Sequence, residues 1–182
     1  MILTGLDIDS KVKTKEIIIS PYHEEQVNPN SYNFRLGAMI KVYNSFPLDP
    51  KVMNSVEEII IPEEGYVLQP NRLYLASTEE VMGSNFYAPT FAARSSIARL
   101  GLFINLSADL GDIGYIGQWT LQLFTIHPLR IYRGMRIGQI MWWKPQGDIK
   151  LYNGKYQGSN GPQQTQIYKD FEKGASKVVF NI

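Results

Sequence analysis

Between residues 93 and 124 the chain reads ARSSIARLGLFINLSADLGDIGYIGQWTLQLF, and most of its side chains with chemical potential fall there. Arg94, Ser95, Ser96 and Arg99 put two guanidinium groups and two hydroxyls at the start of a short helix. Guanidinium forks match phosphate oxygens, and the free N–H groups of a helix start add donors, so this cluster is a candidate phosphate cradle. The same residues also suit an N-capped surface turn with solvated arginines. Asp112 follows Gly111 and precedes Gly114 and Tyr115, in a turn that feeds a strand beginning near Gln118. A carboxylate held on such a turn can orient a water or accept its proton, and a tyrosine three residues on can pack against a sugar ring. By itself this stretch is a turn aspartate followed by a strand-edge tyrosine. The Arg–Ser cluster upstream is what gives it a functional reading.

The elements that must hold these residues are short strands. The chain has 182 residues with 15 Gly, 10 Pro, 11 Tyr and 8 Phe, a composition of turns and β-formers around a single domain. Runs at 32–36, 38–43, 58–61, 72–76 and 118–124 are β-branched or aromatic and are punctuated by Pro, Gly or Asn. Spacing of this kind favours a barrel or sandwich over βαβ units. A first helix capped by Thr4 and a short internal helix over 95–100 are the main helical signals. The polar, Gly- and Gln-rich stretch YNGKYQGSNGPQQTQIY, from residue 152 onward, reads as a flexible lid or tail over 152–182.

Composition also removes functions. Eighteen Lys and Arg against 17 Asp and Glu leave a net charge of +1, which creates no basic field to gather nucleic acid. There is no cysteine, so thiolate zinc sites and cysteine nucleophiles are excluded, and His23 and His127 are too few for a histidine cage. Both read as turn or loop residues. No stretch approaches the roughly 18 apolar residues that span a bilayer, and no signal-peptide pattern is visible, so a cytoplasmic protein without a membrane partner is expected. Trp119, Trp142 and Trp143 read as fillers of the core or of a subunit interface. The acidic pairs, Glu79 with Glu80 among them, read as solvated turns.

The motifs RSSIARLGL, SADLGDIGYIG, TLQLF, YRGMRIGQI and KYQG occur in the order and at the spacing of the dCTP deaminase and trimeric dUTPase superfamily, which the chain resembles almost throughout. ILTGLDI and SYNFRLG resemble the deaminase branch. The resemblance implies a mainly β, distorted barrel or jelly roll, a homotrimer with active sites between subunits, a deoxynucleoside triphosphate substrate, and Mg²⁺ carried on that triphosphate rather than by protein ligands. It implies that Ser95, Ser96 and Arg99 bind phosphates, next to Arg94 of the same cluster, with Gln139 reaching them from a neighbouring strand. It further implies that Ser107 and Ala108 read the pyrimidine edge through the backbone, and that Tyr115 lies under the sugar. Asp112 matches an aspartate that orients the deoxyribose in deaminases and activates water in dUTPases. Tyr152, Lys155, Tyr156 and Gln157 match the segment that closes over the triphosphate.

One position departs from that pattern. Deaminases of the family carry a glutamate where this chain has Gln122. An amide can hydrogen-bond but cannot shuttle protons near neutral pH, and loss of a general base typically costs about 10²- to 10⁴-fold. The expected activity is therefore Mg-dependent hydrolysis of dUTP to dUMP and diphosphate, with Asp112 orienting or activating water. Deamination of dCTP is the alternative, with Asp109 as a substitute carboxylate, alone or combined with dUTP hydrolysis. A catalytically silent nucleotide-binding regulator is a third.

Overall fold

The structure, a computed structural model, describes residues 1–172. In chain order the strands are β1 (Ile18–Ser20), β2 (Val27–Asn28), β3 (Ser31–Tyr43), β4 (Val56–Ile60), β5 (Tyr66–Leu68) and β6 (Tyr74–Gly83). They continue as β7 (Ala88–Ala93), β8 (Leu102–Phe103), β9 (Ile116–Thr125), β10 (Leu129–Ile131) and β11 (Arg136–Trp143). The α-helices are α1 (Gly5–Lys13), α2 (Ser95–Ala98) and α3 (Tyr168–Glu172). Nine strands form one sheet in the order β7-β11-β3-β6-β9-β8, with β2 and β4 also on β3 and β1 also on β6. β5 and β10 pair separately. All these pairings are antiparallel. The result is the mainly β, barrel-like fold expected, wrapped around a core whose largest fully buried side chains include Trp142, Tyr32, Tyr74 and Phe34.

The pleat of β9 decides what each of its residues can do. Its burial alternates along the whole strand, so Trp119, Leu121 and Leu123 face the core while Gln118, Thr120 and Gln122 lie on the opposite face. Helix α1 is capped as the sequence indicates, with the Thr4 hydroxyl accepting from the Asp7 N–H at 3.4 Å. Helix α2 stops at Ala98, which leaves Arg99 at its C-cap.

Two expectations change. The runs 32–36 and 38–43 are a single strand, β3, and Gly37 marks a register slip between Leu36 and Ile40 rather than a break. Glu79 and Glu80 lie within β6, not in a solvated turn, and Glu80 is fully buried. Its carboxylate accepts from the Arg35 N–H at 2.8 Å, Arg35 Nε at 2.9 Å and Gln26 Nε2 at 3.3 Å. A buried charge requires such partners, and they sit 45 and 54 residues away in sequence, where a local reading cannot see them. No helix among the described residues is long and apolar enough to cross a membrane.

Candidate active site

The Asp112 turn is pinned on both sides by backbone bonds. Gly111 N–H donates to Pro89 O at 2.8 Å and Gly114 N–H to Ser84 O at 2.7 Å. Gly111 lies flat on the indole of Trp119, where any Cβ would overlap the ring, and Gly114 has φ +96°, a left-handed conformation that suits glycine. The two glycines thus let the turn press against β9 while the Asp112 side chain stays exposed. Tyr115 leads into β9 and donates its hydroxyl to Gln118 O at 2.7 Å. Its ring packs edge-on against Trp119 at 5.2 Å and Tyr152 at 5.9 Å. Burial pushes the Tyr115 hydroxyl above its ordinary range, so it remains a neutral donor.

These groups border a cavity of about 420 Å³ that also contains Ala108, Gln122 and Tyr156. Six of the residues singled out in the sequence, Ala108, Asp112, Tyr115, Gln122, Tyr152 and Tyr156, are therefore brought to one place. The volume lies in the range of small-molecule sites. Among the described residues, Asp112 is the sole carboxylate in the cavity lining, and neither Lys nor Arg lines it. Asp109 does not reach it: that residue is exposed, and its backbone carbonyl accepts from the Phe91 N–H at 3.1 Å.

Gln122 is held by its neighbours in the 104–106 stretch. Its N–H donates to Ile104 O at 2.8 Å, and its side-chain Oε1 accepts from the Leu106 N–H at 3.1 Å. Asn105, Thr120, Tyr43 and Phe91 line the cavity as well and were not foreseen. Trp119, expected in the core or a subunit interface, is buried and donates to Met82 O at 3.0 Å, and it also forms cavity wall. Tyr43 lies on β3, and the others meet where the 104–110 stretch bonds to both β7 and β9, so spacing along the chain carries little signal for them.

The C-terminal segment lies along the outer face of β9. Gln118 N–H donates to Ser159 O at 2.8 Å, Gly161 N–H to Gln118 Oε1 at 2.6 Å, Gln163 N–H to Thr120 Oγ1 at 2.9 Å, and Thr165 N–H to Tyr43 OH at 3.0 Å. The segment's glutamines and glycines are thus docking residues for a polar strand face. Gln157 spends both ends of its amide on backbone, accepting from Ile116 N–H at 2.9 Å and donating to Gly114 O at 2.6 Å. Lys155 pairs with Asp170 at 2.6 Å. In this arrangement neither side chain faces the cavity. The part of the expected lid beyond residue 172 lies outside the described residues.

The phosphate-type cluster occupies a different place. Arg94, Ser95, Ser96 and Gln139 line a separate groove of about 290 Å³, with Asn28, Asn30, Ser31 and Asn33 opposite them. Gln139 sits on β11 between Asn33 of β3 and Ala92 of β7. Its Oε1 accepts from Ser31 Oγ at 3.3 Å, which in turn accepts from Asn28 Nδ2 at 3.1 Å. Asn28, Asn30 and Asn33 are the residues missed here. Ser107 and Arg99 are exposed and line neither space. Among the described residues the groove and the cavity share no lining residue, so within one chain Arg94 lines one space and Asp112 the other. Among the described residues no group of three or more His, Cys, Asp or Glu could hold a metal ion.

Comparison with known proteins places this geometry in a family. The model of the dCTP deaminase-like family matches residues 2–144. A Clostridium botulinum protein (strain Alaska E43) named dCTP deaminase, dUMP-forming, is 48% identical over 174 residues, spanning 95% of this chain and 100% of the relative. Proteins of the same name from Cytophaga hutchinsonii and Leptospira biflexa (strain Patoc 1, Ames) are 46% and 47% identical over 95% of this chain, and 100% and 99% of their own length. The crystal structure of 2′-deoxycytidine 5′-triphosphate deaminase from Agrobacterium tumefaciens superposes with a TM-score of 0.62 at 23% identity. That superposition covers 78% of this chain and 47% of the other, and it speaks for the fold. The chain belongs to the dCTP deaminase-like family.

Proposed function

We propose that this protein is a deoxypyrimidine triphosphate enzyme that hydrolyses dUTP to dUMP and diphosphate. The observation that carries the reading is the acid–base content of the cavity, which among the described residues has one carboxylate, Asp112, and has a neutral amide, Gln122, where the resemblance puts the deaminase glutamate. Going from dCTP to dUMP, as the relatives' name describes, requires loss of an amino group and loss of diphosphate. The first change passes protons through one group several times, which an amide cannot do. The second needs an oriented water, one acceptor for its proton, and cations on the phosphates.

In the proposed reaction water attacks the α-phosphorus, its proton passes to the Asp112 carboxylate, and the bond from the α-phosphorus to the bridging oxygen breaks. The electron pair leaves on diphosphate. Tyr115 and Tyr152 hold the sugar by ring packing. Arg94, Ser95, Ser96 and Gln139 would take the phosphates, with Arg99 beside them. Because no cation among the described residues lines the cavity, we assign that cluster to a neighbouring subunit of a homotrimer, so that each site has two halves. Magnesium bound to the triphosphate oxygens supplies charge neutralisation when present.

The test is to incubate the protein with dUTP and Mg²⁺ and follow dUMP. Asp112→Asn is expected to lower turnover by about 10²-fold or more while nucleotide binding persists. No dUMP above background at stoichiometric enzyme overturns the proposal. A second reading, deamination of dCTP, rests on the 48% identity to a relative so named. Ammonia released from dCTP would establish it.

A further inference from the structure

Three side-chain amides line the cavity: Gln163 ties its nitrogen to Asn160 O and Gly161 O, and backbone groups also fix which way Gln122 and Asn105 face. A backbone N–H can only donate and a backbone carbonyl can only accept. The Leu106 N–H at 3.1 Å therefore holds the oxygen end of Gln122, and the Phe91 carbonyl at 3.3 Å holds the nitrogen end of Asn105. Flipping either amide would set donor against donor or acceptor against acceptor. The free ends are then a donor, Gln122 Nε2, and an acceptor, Asn105 Oδ1, neither of which bonds another described residue. They are close neighbours, because Gln122 is tied to Ile104 and Leu106 on either side of Asn105. Both line the cavity, and both are half-buried beside Phe91, Trp119 and Leu75.

Uracil offers a carbonyl acceptor at C4 next to an N3–H donor. Cytosine offers an amino donor at C4 next to a bare N3 acceptor. We propose that Gln122 and Asn105 form a two-point reader of the pyrimidine edge, which selects the 4-oxo, N3–H pattern of uracil and opposes cytosine at both points. The inference rests on the cavity being the base site of the enzyme proposed above, and it assigns specificity, not catalysis. A half-buried polar group left facing a like partner loses its hydrogen bond without regaining water, so mismatch at two points costs more than the bonds themselves contribute.

The experiment measures binding with α,β-imido analogues of dUTP and dCTP, which resist hydrolysis, by calorimetry with Mg²⁺. The wild-type protein is expected to favour the uracil analogue by about tenfold or more. Gln122→Glu keeps an oxygen for the Leu106 N–H but presents a second acceptor to the base, so the preference should fall by at least about tenfold and approach equality or reverse. Gln122→Met removes the donor without reversing the pattern, and Asn105→Ala removes the acceptor; each should lessen the preference with a smaller change in thermal midpoint than a core substitution gives. Equal affinity for both analogues in the wild type, a cytosine preference, or a preference untouched by Gln122→Glu would each overturn the reader. If discrimination appears but dUTP is not hydrolysed, the reaction proposed above fails and the reader stands. If dUTP is hydrolysed without discrimination, the reverse holds. Binding of neither analogue removes both.

Discussion

Single side chains in this molecule take their roles from the backbone groups that face them. Gln122 is an amide whose useful end is decided by one N–H, and Glu80 is a charge made tolerable by three donors. The second case sets a stability prediction. Glu80 is fully buried and the Arg35 side chain is 19% exposed, so removing the carboxylate takes away the guanidinium's 2.9 Å partner and leaves it only the longer 3.5 Å pairing with Glu79. Glu80→Ala is expected to cost about 3–5 kcal/mol, read as a lower urea midpoint at unchanged slope. A cost below about 1 kcal/mol would show that the pair does not clamp the two strands. Nothing next to Glu79 and Glu80 in the sequence distinguishes a buried strand acid from a turn acid. Asp112, by contrast, was legible, because its flanking glycines and the following tyrosine are a local pattern and local geometry fixes the turn.

At the level of elements, the first helix is fastened to the sheet by polar side chains that respond to pH. Glu16 accepts from Lys11 at 2.9 Å, Thr14 at 2.9 Å and the Tyr87 hydroxyl at 3.2 Å, and the first two hold its carboxyl below the ordinary range. A depressed folded-state pKa contributes stability above the ordinary carboxylate range, which is lost as pH falls through the lower folded value. Glu16→Gln should therefore lower the thermal midpoint at pH 7, and the gap from wild type should narrow as pH falls below about 4 and close once pH lies below the lowered folded value. A gap independent of pH would assign the loss to shape instead of charge. Existence and type of elements were largely readable: the cap at Thr4, the helix after Arg94 and the strand carrying Gln122 all follow from local signals. The course of residues 152–172 was not, because their composition marks polarity while their placement depends on the outward face of β9, with Gln118 and Thr120 waiting as partners. Fusion of two runs into β3 was missed for a similar reason, since a glycine at a bulge and a glycine at a turn look alike in sequence.

For the whole molecule, the separation of the Arg94 groove from the Asp112 cavity is the decisive geometry. If each site is completed by a neighbouring copy, the protein should run in solution at three times its 20.7 kDa chain mass. Mixed oligomers give a sharper reading. Asp112→Asn and Arg94→Ala proteins should each be inactive alone, yet unfolding and refolding them together in equal amounts should restore about a quarter of wild-type activity, since that share of sites would pair two intact halves. No recovery in verified mixed oligomers would place both halves within one chain.

The indole of Trp119 that forms cavity wall gives the molecule an optical reporter of its own. Trp142 is sealed in the core and Trp143 bonds Thr90 on β7, so of the three tryptophans only Trp119 lines the cavity. Nucleotide binding should therefore alter emission through one residue, and Trp119→Phe should erase the ligand-dependent change while leaving emission from the other two. A signal that survives this substitution would locate the ligand elsewhere. The ring against which Gly111 packs can thus be used to watch the neighbouring Asp112 meet its substrate, without any added label.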